Sequence, residues 1–446
     1  MTAGSQDYGA QVDIRRARAQ GAHAHYRGRT EVYVRRLLTV ILYLALWRAT
    51  GMWYGYPSRF LEGVSVDPTA QKVMLYSLIP LLGLYVLFEP RRFFGYFTRM
   101  PLMAAGVIAA CLASLVVSID LGASLRGIMA VAILTAAPLL YRLRYGGAET
   151  FRALANFAIV SAFANILYTV AFPQFAVMGG SYAGDVKGLF YHKNGLGQFS
   201  AVGFLILFSG SGLYRKLDKR EILRKCALVL SLLLVVIAHS STAIVMVFTG
   251  VALLFGLRML QKIGDSLLRS IIVLTLCIVV GVLGSYVYLT VAEAIASAFG
   301  KDLTFSGRSD IWNQLIPLIY DRPLLGYGFA TFRQSYIIDQ YVHLGHGVLS
   351  IHNTYIELCL NIGVPATITW CVYLIGTVFQ KIGMVQREPL LQEAQAKDIV
   401  IILLIMIGSM TEAGLMLAPV ILWPFLAAAL PSDRPRTPSV VAARPR

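Results

Sequence analysis

Residues 226–257 read CALVLSLLLVVIAHSSTAIVMVFTGVALLFGL, with no Asp, Glu, Lys or Arg among them. A helix needs about 20 apolar residues to cross a bilayer, so the stretch holds two short spans, 226–239 and 242–257, turned back by a tight hairpin at 239–242. Outward from this pair the same search for apolar runs gives helices near 37–54, 73–88, 101–119, 122–141, 153–172 and 196–214 on one side, and 270–292, 354–380, 398–412 and 414–430 on the other. The composition agrees. Of 446 residues 57% are hydrophobic and 14% charged, against roughly 25% charged in soluble domains. An all-α polytopic membrane protein of about twelve transmembrane helices follows, with 37–430 as its membrane domain. A soluble enzyme, a disordered chain, a collagen and a disulfide scaffold are excluded.

The net charge of +16 and sequence pI near 9.7 would suggest nucleic acid in a soluble protein. In a membrane protein a basic excess marks cytoplasmic loops, and counting alternate connections tests this. With the N-terminus inside, 29 of the 39 Lys and Arg fall on inner segments, so both termini are expected in the cytoplasm and no nucleic-acid partner is implied. Residues 1–36 read as a basic cytoplasmic tail on the lipid bilayer's inner leaflet, preceding an uncleaved signal anchor. Residues 431–446 read as a disordered cytoplasmic tail. The five cysteines lie in or beside apolar runs without metal-ligand spacing and read as small core residues.

Ten cations stand against the bias: Arg48, Arg59, Lys72, Arg126, Lys187, Lys193, Lys301, Arg308, Arg322 and Arg333. Several occupy the long outer connection at 293–353. Its aromatic content and the spacing of Ile311, Leu315, Leu318 and Ile319 predict an amphipathic helix on the outer interface, capped by Ser306 or Ser309 and kinked or ended by Pro317. Glycines such as Gly326 and Gly328 would fold the loop back onto the membrane domain. The loop ends at His352-Asn353-Thr354-Tyr355, at the outer surface. A second outer connection, 173–195, brings His192, Lys193 and Asn194 to the mouth of another span.

A ligand bridging the two loops would meet cations from Lys193 and Arg308 and an imidazole from His352. Arg grips phosphate oxygens bidentately and Lys acts as a point charge, so the set suits a lipid-linked phosphate or diphosphate. Arg59, Lys72, Arg322 and Arg333 read more plainly as snorkelling to headgroups, and His239, His343 and His346 as structural. Arg126 has Asp120 as a possible neighbour, with structure and function both open. Glu357 and Glu412 raise the same question, with helix–helix hydrogen bonding as the plain reading. No Walker, HExxH or GxSxG motif is present, and no Asp-x-Asp pair for Mg²⁺ with a nucleotide-sugar. No cofactor and no metal are expected.

Four stretches, in this order, resemble the O-antigen ligase and polymerase family (Wzy- and WaaL-like), especially its ExoQ-like exopolysaccharide polymerase branch. They are Phe190-Tyr191-His192-Lys193-Asn194-x-Leu196-Gly197; Ser240-Ser241-Thr242-Ala243; Phe305-Ser306-Gly307-Arg308-Ser309-Asp310-Ile311-Trp312 followed by Pro323-Leu324-Leu325-Gly326-Tyr327-Gly328; and His352-Asn353-Thr354-Tyr355-x-Glu357 followed by Asn361-x-Gly363. The resemblance implies a metal-independent membrane glycosyltransferase of GT-C-like architecture. Its substrate would be an undecaprenyl-diphosphate-linked glycan at the periplasmic face of a bacterial inner membrane. It further implies that Arg308 contacts the donor diphosphate and His352 is the general base, with Lys193 as a second phosphate contact. His192, Asn194, Asn353, Tyr355, Trp312 and Arg126 complete the expected substrate site, and a chain-length regulator and a flippase are candidate partners. Ligases of the family often carry an arginine beside the serine of the second stretch; here Ser240, Ser241 and Thr242 stand there, which favours polymerase over transfer to lipid A core. A transporter, the third alternative, would show internal repeats around midplane charges, and none is visible.

Overall fold

The computed structural model describes residues 30–52, 69–97, 101–208, 218–260, 308–344, 350–384, 389–410, 412 and 423–430, with isolated positions at 214 and between 262 and 275. The regular secondary structure of its described residues is helical, with an isolated bridge between Val177 and Val186. The expected span 270–292, most of 414–430 and both tails fall largely or wholly outside these residues.

Helix α1 covers 30–50, followed by α2 (Thr69–Phe88), α3 (Pro90–Phe97) and α4 (Leu102–Ala113). Asp120 then caps α5, its carboxylate accepting from the Ala123 N–H at 2.8 Å. Helix α5 runs Leu121–Ala171 and bends at Gly146, whose φ of 80° breaks the helical backbone. The two spans expected at 122–141 and 153–172 are thus arms of one bent element. Helices α6 (Lys193–Phe208), α7 (Lys219–Ile237) and α8 (Ser241–Leu260) follow, and the hairpin expected between α7 and α8 is present. By length and apolarity, two of the described helices, α5 and α8, qualify on their own as membrane spans, so the described helices do not by themselves establish a count of twelve.

Helix α6 is central. Gly195 through Leu207 are all buried, as expected of a helix apolar on every side, and α5, α7, α8 and the later α13 (Pro389–Gly408) pack around it. Close approach explains two of the sequence motifs: a Cβ on Gly197 would sit 2.8 Å from the Ser240 Cβ and 2.9 Å from that of Ala243. The outer surfaces of α5 and α8 carry Val170 at 76% exposure and Phe248 at 73%, apolar faces suited to lipid.

The long loop builds a second small core. Helix α9 (Arg308–Asp321) begins where the amphipathic helix was expected, but continues through Pro317. Ser309 falls inside its first turn instead of capping it. Its apolar stripe does not lie on the membrane interface either: Ile311 and Leu315 are buried against Tyr327, Phe332, Ile338 and Leu360, with Leu318 and Ile319 alongside. The loop continues through α10 (Ser335–Tyr341) to α11 (Thr354–Ile362) and α12 (Val364–Gly383). The span expected over 354–380 is broken at Gly363, at φ 83°, where any Cβ would lie 2.2 Å from the Leu324 carbonyl oxygen. Asn361 completes this junction by accepting from the Phe332 N–H at 3.1 Å. A short α14 (Trp423–Ala429) packs on α5 and α13.

Ion pairs divide as the two sides of a membrane would divide them. Arg35 pairs with Glu149, Arg144 with Glu31, Arg258 with Glu393, and both Arg142 and Lys381 with Asp398; all of these were read as inner residues. Lys193 pairs with Asp185, Arg308 with Glu412, and Arg333 with Glu357, all read as outer. None of these pairs crosses from one group to the other. Among the cysteines, Cys111 is buried as expected but Cys226 is exposed, on the outward face of α7.

Candidate functional site

Four segments meet at one carboxylate. Helix α6 opens with Lys193 and Asn194, α9 opens with Arg308, the turn 350–353 carries His352 into α11, and the chain leaving α13 places Glu412. The Glu412 Oε1 accepts from Asn194 Nδ2 at 3.2 Å and from Arg308 Nη2 at 3.5 Å. Its Oε2 lies 3.6 Å from His352 Nδ1. The backbone of Glu412 is fixed as well: its N–H donates to the Gly408 carbonyl at 3.0 Å, and its carbonyl accepts from Thr354 Oγ1 at 2.7 Å.

His352 sits at φ 54°, a left-handed backbone uncommon for a residue with a Cβ. Neighbours hold it there. Trp312 Nε1 donates to the Ile351 carbonyl at 2.8 Å, and the Ser350 hydroxyl accepts from the His352 N–H at 3.3 Å. The His352 side chain is one-third exposed while its Nδ1 is buried without a hydrogen-bond partner. The exposed edge of the ring is therefore the one away from Glu412.

His192 lies at the same mouth. Its Nδ1 accepts from the Asn194 N–H at 3.2 Å and its ring meets Tyr182 edge-on at 5.2 Å. Burial pushes its pKa below the ordinary value; Glu412 opposes the shift, while Lys193 and His352 add to it. The imidazole is accordingly neutral at pH 7. Lys193 is clamped: its Nζ lies 2.5 Å from Asp185 Oδ2 and 4.9 Å from the Tyr182 ring centroid. Asp185 also holds His239 at 2.7 Å. Burial would raise the Asp185 pKa, but hydrogen bonds from Lys193 and His239 outweigh it and keep the carboxyl below its usual range.

The remaining expected site residues divide by role. Asn353 caps α11, its Oδ1 accepting from the Tyr355 and Ile356 N–H groups at 2.9 and 3.1 Å, and its Nδ2 donates to the Met410 carbonyl at 3.2 Å. Tyr355 donates its hydroxyl to the Met406 carbonyl at 2.7 Å. These two, with Trp312, fasten the turn that presents His352. Arg126 is exposed in the first turns of α5, beside Asp120, which also accepts from Tyr336. The Tyr336 hydrogen bond, more than the Arg126 charge, lowers the Asp120 pKa. Arg126 shares this corner, and none of the contacts that join the Glu412 cluster. Sequence reasoning left Glu412 open between structure and function, the signal being an acid in an otherwise apolar segment, and did not raise Asp185. Among the described residues, no group of three His, Cys, Asp or Glu is placed to hold a metal ion.

Residues 226–371 match the family model described as O-antigen ligase. That region contains Arg308, Trp312, His352, Asn353 and Tyr355, whereas Lys193, Asn194 and Glu412 lie outside it. The chain is 24% identical over 246 residues to the exopolysaccharide production protein ExoQ of Rhizobium meliloti (strain 1021), covering 53% of this chain and 56% of the relative. The chain thus matches about half the length of that curated relative. No solved structure matches it. The four sequence motifs, the matched region and the ExoQ likeness agree: the chain is similar to the O-antigen ligase family over residues 226–371 and to an ExoQ exopolysaccharide production protein over about half its length.

Proposed function

We propose that the protein polymerises undecaprenyl-diphosphate-linked oligosaccharide repeat units at the periplasmic face of the bacterial inner membrane, by metal-independent glycosyl transfer during exopolysaccharide synthesis. The observation carrying this reading is the convergence of Arg308, His352 and Asn194 on Glu412, at the end of the molecule whose ion pairs exclude the inner cations. Both termini are then cytoplasmic, and about twelve helices of GT-C-like arrangement surround the site.

In this mechanism Arg308 binds the donor diphosphate, and its planar fork stabilises charge on the leaving group. Lys193, released from Asp185, adds a second cation. His352 takes the proton from the acceptor hydroxyl. The freed oxygen attacks the anomeric carbon of the growing glycan, the bond to the diphosphate oxygen breaks, and undecaprenyl diphosphate leaves with the electron pair. The anomeric configuration inverts, and His352 then passes its proton to water. Asn194, Trp312, Asn353 and Tyr355 keep the two reacting groups in register.

A deletion strain tests the reading. Loss of a polymerase leaves single repeat units on the lipid carrier. Long carrier-linked chains would instead assign transfer of finished glycan to lipid A core, and units trapped facing the cytoplasm would assign a flippase. A chain-length regulator and a flippase are the natural protein partners of the proposed reaction.

A further inference from the structure

We infer that Glu412 is a positioning residue that hands itself from Arg308 to His352 when the donor binds. This rests on the polymerase reading of the same site. The carboxylate divides between two partners, with Oε1 3.5 Å from Arg308 Nη2 and Oε2 3.6 Å from His352 Nδ1. The second distance is just beyond hydrogen-bond reach, and the Nδ1 facing it is buried without another partner. Asn194 steadies Oε1 at 3.2 Å, and Thr354 and Gly408 fix the backbone beneath.

A diphosphate is a more highly charged ligand for Arg308 than one carboxylate, so the donor displaces Glu412 from the guanidinium. The only move then required is a closure of a few tenths of an ångström onto Nδ1. His352 becomes the Nδ1–H tautomer, donating that proton to Oε2, and its Nε2 lone pair is left on the exposed edge to receive the acceptor proton. Glu412 stabilises the imidazolium so formed. No proton reaches the carboxylate in this step, and the proton on Nε2 leaves to water afterwards. The acceptor is thus deprotonated only when a donor is in place. Among the described residues, Arg308 from α9, Lys193 from α6 and His192 just before it are the other titratable or charged groups facing this pair.

Purified Glu412→Gln protein in lipid nanodiscs distinguishes this role from a structural one. The variant should lose about 100-fold in kcat, the upper end for a lost partner that orients a functional histidine, while its binding of the probe undecaprenyl diphosphate stays equal or tightens because the Glu412 carboxylate no longer competes for Arg308. Glu412→Asp, which keeps the charge, should recover at least tenfold of the lost kcat. Weakened binding in parallel with kcat, or equal kcat for Gln and Asp, overturns the inference. If His352→Ala is inactive but Glu412→Gln matches wild type, this inference alone fails; if His352→Ala is also active, the underlying reading fails.

Discussion

Asp398 joins two buried cations from separate helices. Arg142 donates to its two oxygens at 3.2 and 2.7 Å, and Lys381 donates to one of them at 3.1 Å. All three side chains are more than nine-tenths buried. Asp398→Asn keeps the shape and removes the charge, leaving two buried cations without their common anion. Breaking a buried pair in this way costs about 3–5 kcal/mol. Arg142 and Lys381 each have further contacts, which places the expectation at the lower end, about 3 kcal/mol. That corresponds to a roughly 100-fold rise in the unfolded fraction. The assay is the monodisperse fraction of detergent-solubilised protein across a heating series, for which Asp398→Asn should fall several degrees below wild type. Replacing Asp398 with Leu and both Arg142 and Lys381 with Met should restore most of the loss, because the desolvation penalty disappears with the charges. A single variant whose curve overlies wild type, or a triple variant as weak as the single one, would refute the electrostatic reasoning.

Three further outcomes are expected. Arg308→Lys should reduce transfer by roughly 10- to 100-fold through loss of the planar fork, read as product formed per mole of folded protein. Asn361→Ala should destabilise the loop-to-membrane junction by about 1–3 kcal/mol, because the Phe332 N–H loses its buried acceptor; faster protease cleavage within 308–344 reports it. Asp185 has a folded-state pKa below its unfolded value near 3.9, so its stabilisation is present above about pH 4 and lost as pH falls through the folded pKa. Thermal midpoints should therefore fall more steeply below about pH 4 in wild type than in Asp185→Asn.

The parts of the fold that depend on local pattern were legible in the sequence. Apolar runs gave most helices, and Arg142 and Lys381, both counted on inner segments, meet at Asp398. Two elements were misjudged for tertiary reasons. The stripe of α9 has the spacing of an interfacial helix, but Tyr327, Phe332 and Leu360 cover it, and nothing local to α9 announces them. The break at Gly363 is likewise set by Leu324, 39 residues earlier in the sequence. At the site, His352, Arg308 and Asn194 gather around Glu412. Asn353 and Tyr355 fasten the turn that presents His352. Glu412 was left open between structure and function because its partners lie 218 and 104 residues away, and the turn after α13 brings it beside them.

The most direct test of the polymerase reading is chain extension by the purified protein in nanodiscs supplied with a lipid-linked repeat unit. Wild type should yield carrier-linked oligomers with stoichiometric release of undecaprenyl diphosphate, and folded His352→Ala should yield neither. Extension by His352→Ala at the wild-type rate, or transfer by wild type to a lipid A core acceptor without any extension, would contradict it.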